Sequence, residues 1–116
     1  MPRILVVDDD KPSQDFIKIA LTEEGYEVAA ACNGDEGLDR VRSFRPDLIL
    51  LDMQMPIING EAFLELYRDV TGHKVPIIAF SASGKAAGRA GQLGVDDFLA
   101  KPFDLNDLLA CVEKHL

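Results

Sequence analysis

Cations are scarce in this 116-residue chain: 12 Lys and Arg stand against 20 Asp and Glu, a formal net charge of −8. A field of that sign repels phosphate backbones and anionic lipid headgroups, which argues against direct nucleic-acid binding and against attachment to a membrane. Long apolar runs are also missing. Stretches such as Leu48 to Leu51 fall far short of the roughly 20 residues that cross a bilayer. The N-terminus has no apolar stretch of the signal-peptide kind, so the expected location is the cytoplasm. Cysteine is nearly absent. Cys32 and Cys111 are read as having no Cys or His at ligand spacing, which leaves a disulfide framework and a zinc site without support and predicts reduced, buried thiols. There is no repeat, low-complexity tract or linker, and the length suits a single domain, residues 1–116. What is present is ordinary for a folded globular domain, with 47% hydrophobic and 28% charged residues.

An apolar, strand-like run alternates five times with a helical pattern, the signature of an α/β fold with a parallel sheet and helical crossovers. The strands are predicted at Ile4–Val7, Glu27–Ala31, Leu48–Leu51, Ile77–Phe80 and Phe98–Ala100. Most are continuous apolar runs, as expected where helices cover both faces of a sheet. Glu27–Ala31 begins polar and is assigned to an edge. Pro12 suits the first turn of a helix whose inner face is read as Phe16, Ile17, Ala20 and Leu21, with Gly25 as its stop. Asn33 caps a second helix with Leu38 and Val41 inward and Pro46 beyond its end. A third begins at Asn59-Gly60, turns Phe63, Leu64 and Tyr67 inward, and ends near Thr71-Gly72. Asp104 caps the last, whose apolar stripe is Leu105, Leu108, Leu109, Val112 and Leu116. The fourth crossover, Gly84 to Gly94, carries four glycines, each costing roughly 1 kcal/mol of helix stability relative to Ala. A short or mobile helix is expected there.

In such sheets ligands bind outside the carboxyl ends of the strands, where strand order reverses. Four of the five predicted strand ends carry chemistry. Strand one is followed by Asp8-Asp9-Asp10, strand three by Asp52, strand four by Ser81 and strand five by Lys101-Pro102. If strands one and three are neighbours, Asp8, Asp9 and Asp52 converge, and packed carboxylates repel unless a cation sits among them. Oxygen ligands without Cys or His suit Mg²⁺, with Mn²⁺ as the alternative, and not zinc. A carboxylate can also attack phosphorus to form an acyl phosphate when cations neutralise the transferring oxygens. Asp52, the metal and Lys101 would supply those parts, and the Ser81 hydroxyl could donate to a phosphoryl oxygen. His73 and His115 read as solvated histidines, and Met53 and Met55 as gap-fillers.

The segments ILVVDDD at 4–10, PDLILLDMQMPIINGEAF at 46–63, PIIAFSAS at 76–83 and GVDDFLAKPF at 94–103 strongly resemble the receiver domain of two-component response regulators, over essentially the whole chain. The resemblance implies a flavodoxin-like doubly wound fold with strand order 2-1-3-4-5. It implies that Asp52 accepts a phosphoryl group from a histidine kinase or histidine phosphotransfer protein. It further implies that Asp8 and Asp9 hold Mg²⁺, Asp9 more directly, with the backbone carbonyl of Gln54. Ser81 and Phe98 match the family's switch pair, Lys101 its phosphate-contacting lysine, and Lys101-Pro102 its cis peptide bond. The chain between Ser81 and Lys101 is a residue or two shorter than usual and glycine-rich. No effector region follows Leu116 in this sequence, so two expectations stand side by side: output by contact with a downstream protein, through the fourth helix, fifth strand and fifth helix, or a domain excised from a longer protein.

Two other readings share some of these residues. Asp8-x-Asp10 after a strand, a later Ser and then a Lys also resemble haloacid-dehalogenase-type phosphatases, in which the first aspartate is the nucleophile. Such enzymes need a further acidic group after the lysine, where Asp104 and Asp107 read as helix caps. A receiver-like interaction domain that is never phosphorylated would not need the acidic set, Ser81 and Lys101 together. A flavin site fails because three aspartates replace its amide-donating phosphate loop.

Overall fold

Continuous burial of the central strands accounts for the architecture. In the computed structural model, which describes residues 1–53, 62–64, 67, 75–81 and 94–116, every residue of β3 (Leu48–Asp52) and β4 (Ile77–Ser81) is buried. In β1 (Arg3–Val7) all but the first are. A strand buried on both faces needs a helix layer on each side, and parallel strands need helical crossovers to supply them. The sheet is parallel throughout, and its order is β2-β1-β3-β4-β5, with β2 at Glu27–Ala31 and β5 at Asp97–Ala100. This is the expected flavodoxin-like arrangement, with β2 at an edge. The other four strands begin or end one residue beyond their predicted bounds.

Alternation along the strands sorts the core into two layers. Ile4, Val6, Leu48, Leu50, Ile78 and Phe80 face α1 (Lys11–Glu23) and the C-terminal helix (Leu105–His115), which contribute Ile17, Leu21, Leu108 and Val112. Leu5, Val7, Ile49, Leu51 and Ile77 face α2 (Gly34–Phe44), which contributes Leu38 and Val41, together with Phe63, Leu64 and Tyr67. The helix starts follow the sequence closely. Asp10, Asn33 and Asp104 accept hydrogen bonds from the amides of Ser13, Glu36 and Asp107. Gly25, at φ +92°, ends α1 in a conformation that penalises any Cβ. Gly37 lets α2 approach the sheet, since a Cβ there would lie 2.9 Å from Phe63 Cε1 and 3.1 Å from Val7 Cγ2.

Four expectations are corrected. Phe16 points outward, 47% exposed: at 100° per residue it lies on the flank of the stripe that buries Gln14, Ile17, Ala20 and Leu21. Leu105 and Leu116, at the two ends of the C-terminal helix, are exposed, and Cys111 joins Leu108 and Val112 in the core instead. Cys32 is exposed because it follows the edge strand β2, whereas Cys111 is buried as expected; both are free thiols. His115 is not a solvated histidine, since its Nε2 lies 3.0 Å from Asp97 Oδ2. The predicted start and end of the third helix, the fourth crossover up to residue 93, His73 and Met55 lie outside the described residues; Gly94, at the end of that crossover, is described, with φ +78°. Among those described, no helix is long and apolar enough to cross a membrane.

Candidate functional site

Strand register brings the acidic residues together. β1 pairs with β3 through Val7↔Leu51, and Asp8 and Asp52 are each one residue further along. They therefore emerge side by side at the carboxyl edge, where β1 lies between β2 and β3 and the chain order reverses. Carboxylate oxygens of Asp8, Asp9 and Asp52 all lie within 4.8 Å of one another. Asp8 and Asp52 are buried and Asp9 is exposed, so the cluster opens to solvent on one side.

The rest of the site fixes these groups in place. Asp8 Oδ1 accepts from the Asp10 amide at 2.9 Å, which turns the chain into α1, and the Asp8 amide donates to Ala31 O. Gln14 closes this corner: its buried Nε2 donates to Asp8 O at 3.2 Å and to Ala31 O at 3.1 Å. Sequence reasoning missed Gln14, although the signal was available, since it is a polar residue in step with Ile17 and Leu21 on an inward helical face. Asp10 serves as the cap of α1.

From the other side of the sheet, Lys101 reaches across. Its amide donates to Ser81 O, continuing the β4–β5 register, and its Nζ lies 3.8 Å from Asp8 Oδ2 and 3.9 Å from Asp52 Oδ2. Its Nζ lies over the Phe80 ring, 4.9 Å from the centroid, so a cation–π contact helps hold the ammonium in position. Lys101-Pro102 is cis, as the resemblance implied. One atom is left over. Among the described residues Asp8 Oδ2, fully buried, has no hydrogen-bond partner, and the Lys101 ammonium stands off at 3.8 Å. A buried carboxylate oxygen in that state fits a divalent cation held by oxygen ligands.

Ser81 is buried at the end of β4. Ala79 pairs with Phe98 and Ser81 with Ala100, so Ser81 and Phe98 lie on one face of adjacent strands, diagonal to each other. Phe98 is half-buried. Gln54 lies outside the described residues. Exposed Phe16 and half-buried Ser13 of α1 line a cleft with Pro102, Phe103 and Lys101, the same lysine that approaches the acidic cluster.

One expectation about chemistry is overturned at the opposite edge of the sheet. Cys111 has a histidine at ligand spacing: His115 is one helical turn further on, and with Asp97 of β5 their donor atoms lie within 4.8 Å of one another. The i,i+4 spacing was legible, but the third donor is 14 residues away and only strand pairing delivers it. Burial and the Asp97 carboxylate push the Cys111 thiol up to about 12, while the hydrogen bond with His115 holds Asp97 below its ordinary value.

Comparisons with known proteins agree with this geometry. The family model for the response regulator receiver domain matches residues 4–113. The response regulator MprA of Mycolicibacterium vanbaalenii is 42% identical over 112 residues, covering 93% of this chain and 47% of that protein. MprA of Mycobacterium tuberculosis gives the same figures. The chain thus spans about half the length of the curated relatives it matches. Among solved structures, the chemotaxis response regulator CheY4 of Vibrio cholerae superposes with a TM-score of 0.90 at 29% identity, covering 100% of this chain and 99% of that one. The receiver domain of the Francisella response regulator 1452 gives 0.88 at 33% identity, covering 98% and 95%. Neither the phosphatase nor the flavin reading survives these matches: the chain belongs to the response regulator receiver domain family of two-component phosphorelay signalling.

Proposed function

We propose that residues 1–116 form one receiver domain in which Asp52 is the phospho-acceptor. The observation that carries this reading is the convergence of Asp8, Asp9 and Asp52 on one strand edge, with Lys101 Nζ 3.8–3.9 Å from two of them and, among the described residues, no hydrogen-bond partner for Asp8 Oδ2.

An Asp52 carboxylate oxygen attacks the phosphorus of a phosphohistidine on a sensor kinase or phosphotransfer protein. The P–O bond forms as the P–N bond breaks, and the electron pair of the latter returns to the departing imidazole. Lys101 stands beside the attacked group and offsets charge on its oxygens, and Ser81 offers a hydroxyl donor from the next strand. Asp8, Asp9 and Asp52, with the Gln54 carbonyl, would hold Mg²⁺ or Mn²⁺. The ion, when bound, supplies positive charge against the phosphoryl oxygens. Water attack on the acyl phosphate returns Asp52 to a free carboxylate, so the domain is a self-resetting switch and does not turn over a substrate.

The readout couples Ser81 to Phe98. A hydroxyl drawn toward the phosphoryl group vacates space on the face that it shares with Phe98, and the ring turns inward. One hydrogen bond and one aromatic burial are worth roughly 1–4 kcal/mol, enough to shift a two-state population about tenfold to several hundredfold. A downstream protein reads the altered surface. Incubation with a small acyl phosphate and Mg²⁺ should add one phosphoryl group per chain by intact mass. Ser81→Ala should keep the adduct and lose the change in Phe98 ring resonances. Unchanged Phe98 resonances in the phosphorylated wild type would overturn the coupling.

A further inference from the structure

We propose that Asp97, Cys111 and His115 form a second metal site, separate from the acidic pocket, for a borderline-soft divalent ion of which Zn²⁺ is the type. The three donors are a carboxylate, a thiol and an imidazole, and all lie within 4.8 Å of one another. That set suits Zn²⁺, which takes sulfur, nitrogen and oxygen ligands in tetrahedral geometry, and it does not suit Mg²⁺, which takes oxygens.

The placement is specific. Cys111 and His115 are four residues apart on the C-terminal helix, so both project from one face, while Asp97 comes from the paired edge strand β5. Asp97 Oδ1 is already fixed by the Phe98 amide at 2.8 Å, which leaves Oδ2 facing His115 Nε2 at 3.0 Å. This is the outer-shell support that ligating carboxylates ordinarily have. Cys111 is buried, but Asp97 and His115 are half-exposed and provide an entry path. Three protein ligands leave a fourth position for water. The site also lies in the last helical turn, where the unpaired carbonyl ends favour a cation.

In the absence of metal the same groups satisfy one another as a hydrogen-bonded cluster with a protonated thiol. On binding, the S–H bond of Cys111 breaks, a sulfur–metal bond forms and the proton leaves to solvent, so no oxidant or reductant is involved. Lys114 Nζ, 3.8 Å from Asp97 Oδ2 and largely exposed, is the one adjoining cation among the described residues and opposes the ion.

Titration with Co²⁺, a spectroscopic stand-in for Zn²⁺, tests the site in a Cys32→Ser background, so that any thiolate-to-cobalt charge-transfer band reports Cys111 alone. One Co²⁺ per chain should give a near-ultraviolet band that Zn²⁺ erases and excess Mg²⁺ does not. Cys111→Ser should abolish the band. His115→Ala and Asp97→Asn should each weaken binding by more than about 100-fold, because even outer-shell losses cost about 10–100-fold. Lys114→Gln, an exposed change that leaves the fold intact, should tighten it several-fold. Absence of the band, or its persistence at unchanged affinity in His115→Ala, would overturn the site.

Discussion

Asp9→Asn isolates the repulsion built into the acidic pocket. Asp9 is exposed and forms no ion pair with Lys101, which approaches Asp8 and Asp52 instead. Its two carboxylate neighbours lie within 4.8 Å. At that separation each would repel it by about 3.5 kcal/mol at an effective dielectric of about 20, and by about 0.9 kcal/mol in bulk water. Exposure places Asp9 near the watery limit, so the two repulsions together amount to roughly 2–3 kcal/mol. Against this, a negative charge near the start of α1 is favourable by about 0.3–1 kcal/mol. Repulsion wins, and removing the charge should stabilise the metal-free protein by roughly 1–2 kcal/mol, a rise in Tm of roughly 3–8 °C for a chain of this size. The assay is thermal melting by circular dichroism in EDTA at low salt, repeated in Mg²⁺. Wild type should gain more from Mg²⁺ than the variant does, and about 1 M inert salt, with a Debye length of about 3 Å, should shrink the difference between them in EDTA. A variant that melts at or below wild type in EDTA would refute the reasoning, since the charge would then already be compensated.

Three further outcomes follow from the geometry. Gly37→Ala gains about 1 kcal/mol of helix propensity but drives a methyl to 2.9 Å from Phe63 Cε1, and overpacking of that kind costs about 1–3 kcal/mol, so urea unfolding should show a net loss. Gln14→Ala should destabilise by about 1–3 kcal/mol in the same assay, because it strips the Asp8 and Ala31 carbonyls of a buried donor. Asp97 is held below its ordinary value of 3.8, first by the hydrogen bond with His115. In metal-free protein its contribution is therefore complete above that value and is lost as pH falls through the lower folded value. The stability difference between wild type and Asp97→Asn should shrink on acidification through that range, and a difference independent of pH would contradict the assignment.

The legible part of the molecule was local. Caps at Asn33 and Asp104 and the stop at Gly25 were readable because a helix end is decided by a few neighbouring residues, whereas Asp10, read only as part of the acidic run, turned out to cap α1. Strand order was not contained in any one segment, and it entered through four motifs acting together. The chemistry was legible at strand ends because a parallel sheet gathers those ends on one edge. Side-chain direction was less so. Phe16 looked like core because it is apolar and adjacent to Ile17, yet a helix packed against a sheet covers only part of its circumference. The partners of Asp97 and the bond from Gln14 to Ala31 escaped for a different reason, since both depend on which strand lies beside which helix.

The identity of the phosphorylated residue is the most direct test of the proposed function. After brief reaction with a small acyl phosphate and Mg²⁺, borohydride reduction converts the acyl phosphate into an alcohol, and peptide mass spectrometry then finds the changed residue. The expected result is a single modification at Asp52, absent from Asp52→Asn and strongly reduced in Lys101→Ala. Modification at Asp8, or none at Asp52 under conditions where Mg²⁺ binding is saturated, would contradict it.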